Sequence, residues 1–217
     1  MRVAAGLSSA SWLLFSTLLW AAPGAPELRS LVDPLLAAKG EGRIGQVAVS
    51  ALLAARSADG PPTPRPGVVF ALLPRSPALV KELERIKAAA RDSEAGYLEA
   101  ATNMAALSDR YAQSLREAGA GDLVFAATAD GRGEHLFAQM PAGEWLLVGR
   151  DERVQETPAR APSKRERERF VLPSRLRGYR DVTFWLMDVT VVQGRVTKLS
   201  LTDRNPWFRG VVQERRG

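Results

Sequence analysis

Three short segments, Leu123-Val124-Phe125-Ala126, Trp145-Leu146-Leu147-Val148 and Phe184-Trp185-Leu186-Met187, are apolar at every position. Successive side chains of a strand point to opposite faces. A strand with one face in water therefore alternates with polar residues, and these do not. Leaving one large apolar side chain in water forfeits roughly 1.5–3 kcal/mol. The sheet holding these strands needs two covers, and a facing sheet supplies only one. The other is expected from residues 77–118. Ser76-Pro77 reads as an N-cap followed by proline in the first turn. Leu79, Leu83, Ile86 and Ala90 then recur at helical spacing, and Tyr97, Ala101, Met104, Tyr111 and Leu115 continue the stripe. Gly119 and Gly121 end it. One helix of that length would be about 60 Å long, against about 20 Å for a six-residue strand. Two antiparallel helices, broken near Asp92-Ser93-Glu94-Ala95-Gly96, are expected instead. The stripe is read as packing on the sheet; a coiled-coil or partner-binding role is the alternative.

The remaining pattern is β. Residues 44–55 are apolar and strand-capable, and 67–73 read as a buried strand stopped by Pro74. Between them, 56–66 is a loop rich in proline. From Thr128 to Leu147, Asp130-Gly131 and Pro141-Ala142-Gly143 bracket a short run ending at Phe137. Asp-Gly favours a tight reversal, and Pro presets φ for another. Strand, turn, strand, turn, strand is expected here, as a three-stranded meander. Residues 152–178 read as a long charged loop with a brief strand at 170–172. Residues 181–192 read as a strand whose Gln193-Gly194 turn returns it as a hairpin through 196–201. A lead with a helical turn or two occupies 25–43, and an apolar tail that tucks back follows Asn205.

The 128–147 stretch resembles the carboxypeptidase regulatory-like domain, a small transthyretin-like (prealbumin-like) β-sandwich. The matching residues are Thr128, Asp130, Gly133, Phe137, Met140, Pro141, Gly143, Trp145 and Leu147. The chain departs from that pattern in having one residue fewer between turn and strand, His135 where an aromatic is usual, and Met140 for Leu. The resemblance implies a mainly β, antiparallel sandwich of about seven strands over residues 44–205, with the helical insertion at 77–118. It implies a fold more than an activity. A hydrolase branch of the transthyretin fold ends in an aromatic-Arg-Gly-Ser motif and uses several histidines. Phe208-Arg209-Gly210 matches only the first part, so that activity is a remote alternative.

The first 24 residues have the layout of a secretory signal: Arg2, an apolar run over 11–20, then small residues to Gly24. Cleavage after Gly24 is expected, with retention as a short anchor the alternative and the only expected membrane attachment. This places the protein in the periplasm or the secreted space. The chain has no cysteine, which excludes disulfides, thiolate metal sites and cysteine nucleophiles together. Net charge is +6. The excess is local: 150–180 holds ten Arg or Lys against five acidic residues.

The chemistry of catalysis is thin. His135 is the single histidine, so no histidine pair can hold a metal. Ser114, Ser163 and Ser200 lie in no nucleophile motif. Acidic residues show no calcium-loop spacing. No catalytic, cofactor or metal residue is expected, and no cofactor. Trp207 and Phe208, after Asn205-Pro206, are the aromatics expected to be exposed for a carbohydrate or protein contact. Lys164, Arg165, Arg167 and Arg169 could meet an anion, although Glu166 and Glu168 neutralise their neighbours. Nucleic acid is not expected for an exported chain. The sequence points to a non-enzymatic accessory module working through protein contacts in the envelope, with carbohydrate binding as the alternative.

Overall fold

The computed structural model describes residues 25–53, 61–155 and 176–215. The signal-like segment and the four cations Lys164, Arg165, Arg167 and Arg169 lie outside them. In chain order the elements are α1 (Ala25–Gly40), β1 (Ile44–Leu53), β2 (Thr63–Pro64), β3 (Val69–Pro74), α2 (Pro77–Asp92), α3 (Glu94–Glu117), β4 (Phe125–Thr128), β5 (Glu134–Pro141), β6 (Gly143–Gln155), β7 (Leu176–Val191), β8 (Val196–Thr202) and β9 (Phe208–Arg215). The fold is a β-sandwich with a helical insertion. The larger sheet runs β4-β3-β6-β7-β9, with every neighbour antiparallel. The smaller sheet centres on β1, which pairs antiparallel with β2 and β5 and parallel with β8.

The facing surfaces meet through large side chains. Phe125 stacks edge-on against both Trp145 and Phe137, joining the two sheets. Trp185 donates its indole N–H to the Thr202 carbonyl at 2.8 Å. On the opposite surface of the larger sheet lie Leu146, Val148, Val182 and Phe184, all buried. The helices cover them: α3 packs on β9, and Tyr111 of α3 donates its hydroxyl to the Pro74 carbonyl at 3.0 Å. Phe184 is 3% exposed, and Leu186 packs partly buried against the same core. The second cover is where the apolar pattern requires it.

The insertion is two helices, as the length argument requires. The Ser76 hydroxyl accepts from the Leu79 amide at 3.2 Å and starts α2. Ser93 accepts from the Gly96 amide at 3.0 Å and starts α3 one residue after α2 ends. The helices pack against each other. The N-terminal lead forms a longer helix than expected. Leu28, Val32, Leu35 and Ala38 of α1 are buried, and Leu35 abuts Gly143.

Three expectations need correction. The 128–147 segment is not a meander: β4 and β6 belong to the larger sheet and β5 to the smaller. The Asp130 carboxylate accepts from the amides of Arg132 and Glu134 at 2.9 Å each, which builds the reversal locally. The Gly133 carbonyl then accepts from the Ala51 amide at 2.7 Å, pulling the chain across to β1. Gly133 has φ +74, and a Cβ there would strike the Ala51 carbonyl. Likewise, β7 and β8 are not a hairpin. The Gly194 amide donates to Ile44 and the Gln46 amide to Arg195, so β8 leaves β7 and runs beside β1. Finally, the charged loop is shorter than 152–178. Strand pairing of β6 with β7 extends to Gln155↔Tyr179, and only residues 156–175, including the expected strand at 170–172, lie outside the described residues. Past Asn205, β9 adds an edge strand to the larger sheet, bringing the described strand segments to nine.

Candidate binding cleft

Trp207 and Phe208 owe their place to the turn before them. The Asn205 side chain accepts from the amide and hydroxyl of Thr202 and donates to the Ser200 carbonyl. That closes β8 and swings the chain to the larger sheet, where the Trp207 amide donates to Phe184 at 2.8 Å. The two rings then diverge. Phe208 lies 6.4 Å from the Phe184 ring and over Gly210, which Ala101 of α3 also borders. Trp207 turns to α2. Its indole N–H donates to Glu84 at 2.9 Å, and the Lys87 ammonium sits 4.4 Å from its ring centroid. Both rings are half-buried. Trp207 is therefore a fixed wall with a cation over one face, rather than a free platform.

A cavity of about 270 Å³ opens beside that wall, lined by Lys87, Arg91, Tyr97, Trp207, Phe208 and Arg209. Arg91 closes the last turn of α2, and Tyr97 stands in the first turn of α3. The helix break thus sets a guanidinium and an aromatic ring on either side of one corner. Tyr97 is 38% exposed, although its spacing places it on the buried stripe. The stripe turns inward only from Ala100, and Tyr97, one turn earlier, borders the cavity instead. Arg91 makes no hydrogen bond or ion pair with any described residue.

A second cavity of about 450 Å³ adjoins the first and shares Tyr97 and Arg209 with it. At its other end Arg65 and Arg153 converge on one Asp151 oxygen, at 2.5 and 3.1 Å. Asp151 is 3% exposed. Arg65 also lies over the Trp185 ring at 5.7 Å. Two cations share one buried carboxylate at that end, and Asp181 and Asp203 stand on the same rim. Arg209 donates to the Asp203 carbonyl at 2.5 Å.

His135 lies elsewhere. It stacks edge-on against Phe137 at 4.5 Å, on the strand face its spacing predicts. It borders a cavity of about 630 Å³ on the smaller sheet together with Ser50 and Asp130. These do not form a catalytic set. The Ser50 hydroxyl donates to the Leu199 carbonyl at 3.3 Å. The Asp130 carboxyl lies below its ordinary range because the amides of Glu134 and Arg132 hydrogen-bond to it. Ser114 donates to the Arg110 carbonyl within α3. No group of three or more metal-ligating side chains occurs among the described residues, and no described helix is long and apolar enough to cross a membrane.

No family model matches the chain, and no curated protein matches it. Among solved structures it is similar to a candidate carbohydrate-binding protein of Pseudomonas aeruginosa, at 15% identity and TM-score 0.40, over 74% of this chain and 90% of that one. It is also similar to GBS52, a minor pilin of Streptococcus agalactiae, at 12% identity and TM-score 0.24, over 73% and 94%. Likenesses this distant carry nothing about what the chain binds.

Proposed function

We propose that this chain is a non-enzymatic accessory module of the cell envelope or secreted space that acts by binding. The carboxypeptidase regulatory-like resemblance of residues 128–147 belongs to this reading. The observation that carries it is the corner cleft, where Tyr97, Trp207 and Phe208 meet three cations around one opening. The leading ligand is a protein partner in the envelope. A photoreactive residue in place of Tyr97 should capture that partner from envelope extract. The same residue in place of Leu136, exposed on the other sheet, should not. Capture at both positions or at neither would refute the placement.

A second reading, carbohydrate binding, is favoured by a pre-set aromatic wall beside a small cavity. Indole and phenol rings supply flat apolar surface with a polar edge, the combination a sugar ring presents in reverse. Glycan-array binding lost in Trp207→Ala supports it, and a flat array rejects it.

A further inference from the structure

The cleft specifies more than a sugar. Its smaller chamber, about 270 Å³, is just below the ~300–1,000 Å³ range of drug-sized ligand sites. It has room for one ring and its substituents. Tyr97 offers an open ring face, whereas one face of Trp207 is already occupied by Lys87. Around these rings stand Lys87, Arg91 and Arg209, with Glu84 beside Lys87 and Asp203 beside Arg209. Glu84 is spoken for by the Trp207 indole and by Lys87 at 3.7 Å. Arg209 keeps donors beyond its bond to the Asp203 carbonyl, its one hydrogen bond among the described residues, since a guanidinium carries five. Arg91 is wholly uncommitted among the described residues. A planar guanidinium fork matches a carboxylate in two parallel hydrogen bonds.

The geometry points to an acidic saccharide as the ligand: a uronate ring stacked on Tyr97, with its carboxylate held by Arg91 and Arg209. This rests on the carbohydrate reading above and narrows it to one sugar class. The neighbouring chamber, entered past Tyr97 and Arg209, takes the next ring of an oligomer.

The test is calorimetry with tetragalacturonate and with neutral galactotetraose, on wild type, Arg91→Gln, Arg91→Lys and Tyr97→Ser. Tetragalacturonate should bind wild type at least tenfold tighter than the neutral oligomer. Its affinity should fall about fivefold or more in Arg91→Gln, partly recover in Arg91→Lys, and weaken further as salt rises. Arg91 has no hydrogen-bond or ion-pair partner among the described residues, only its place in the last turn of α2, so its variants should melt within a few degrees of wild type. Equal affinity for the two oligomers, unchanged in Arg91→Gln and lost in Tyr97→Ser, would overturn the acidic specificity and leave sugar binding at the cleft standing. Binding of neither oligomer would overturn the saccharide assignment, leaving the protein-contact reading to the cross-linking result.

Discussion

Two tyrosines in α3 show how far a single side chain can be read from its neighbours. Tyr111 and Tyr97 share a helical stripe in sequence, yet one is fully buried and the other opens onto solvent. Burial pushes the Tyr111 hydroxyl well above the ordinary tyrosine range, against a lowering hydrogen bond from Ser76. The consequence for stability follows directly. Below about pH 10, the ordinary tyrosine value, Tyr111 is neutral in both folded and unfolded chains, and its contribution is complete. Above that, the unfolded chain releases the proton and the folded chain does not, so stability falls as pH rises. Urea midpoints should drop as pH rises above about 10 in wild type, and drop less in Tyr111→Phe. At neutral pH that variant should cost about 1 kcal/mol, since the Pro74 carbonyl loses its donor. Identical alkaline slopes in the two proteins would remove Tyr111 from the account. Periodicity identified Tyr111 correctly because it lies over the sheet. It could not identify Tyr97, because where a sheet ends beneath a helix is a tertiary fact.

At the scale of elements, the helical hairpin was legible because its signals are local. Ser76 and Ser93 each cap their own helix within three residues, and the apolar spacing needs no knowledge of the sheet. The route of the strands was not legible. Asp130-Gly131, Pro141-Gly143 and Gln193-Gly194 are real turns, but a turn does not say which sheet receives the next strand. After Asp130-Gly131 and Gln193-Gly194 that is decided by amides and carbonyls of β1, contributed by Ile44, Gln46 and Ala51, far away in sequence. The same dependence on close approach governs the helix junction that forms the cleft. A Cβ at Gly96 would lie 2.5 Å from the Ala89 carbonyl and 3.0 Å from the Ser93 hydroxyl. Gly96→Ala should therefore separate α2 from α3 at the corner and cost about 1–3 kcal/mol. Gly131→Ala, where a Cβ meets nothing within 4 Å, is the matched control and should stay within about 0.5 kcal/mol of wild type. Chemical denaturation of the two variants measures both, and equal stability would mean that the junction is loose.

For the molecule as a whole, the central question is whether the insertion is a lid or an ornament. β3 and β4 are neighbours, paired from Val69↔Thr128 to Leu72↔Phe125. A short glycine-serine turn could therefore join them if residues 77–118 were removed, leaving every strand pairing formally intact. The cost lies on the surface uncovered. Leu73, Leu146, Val148 and Phe184 face the helices or adjoin them, and all are buried. Exposing four such side chains costs roughly 6–12 kcal/mol, an upper estimate because unfolded chains already bury some of that area. That is comparable to the whole stability of a typical domain, about 5–15 kcal/mol. The shortened chain should fail to unfold cooperatively, bind a hydrophobic dye strongly, and self-associate through the exposed face. Replacing Leu146, Val148 and Phe184 together with Thr in the shortened chain should restore part of its solubility, because Thr keeps strand propensity while removing apolar surface. A shortened chain that stays monomeric, with a sharp transition near the full-length melting temperature, would show that the sandwich closes on itself. The strands that are apolar on both faces would then need another explanation.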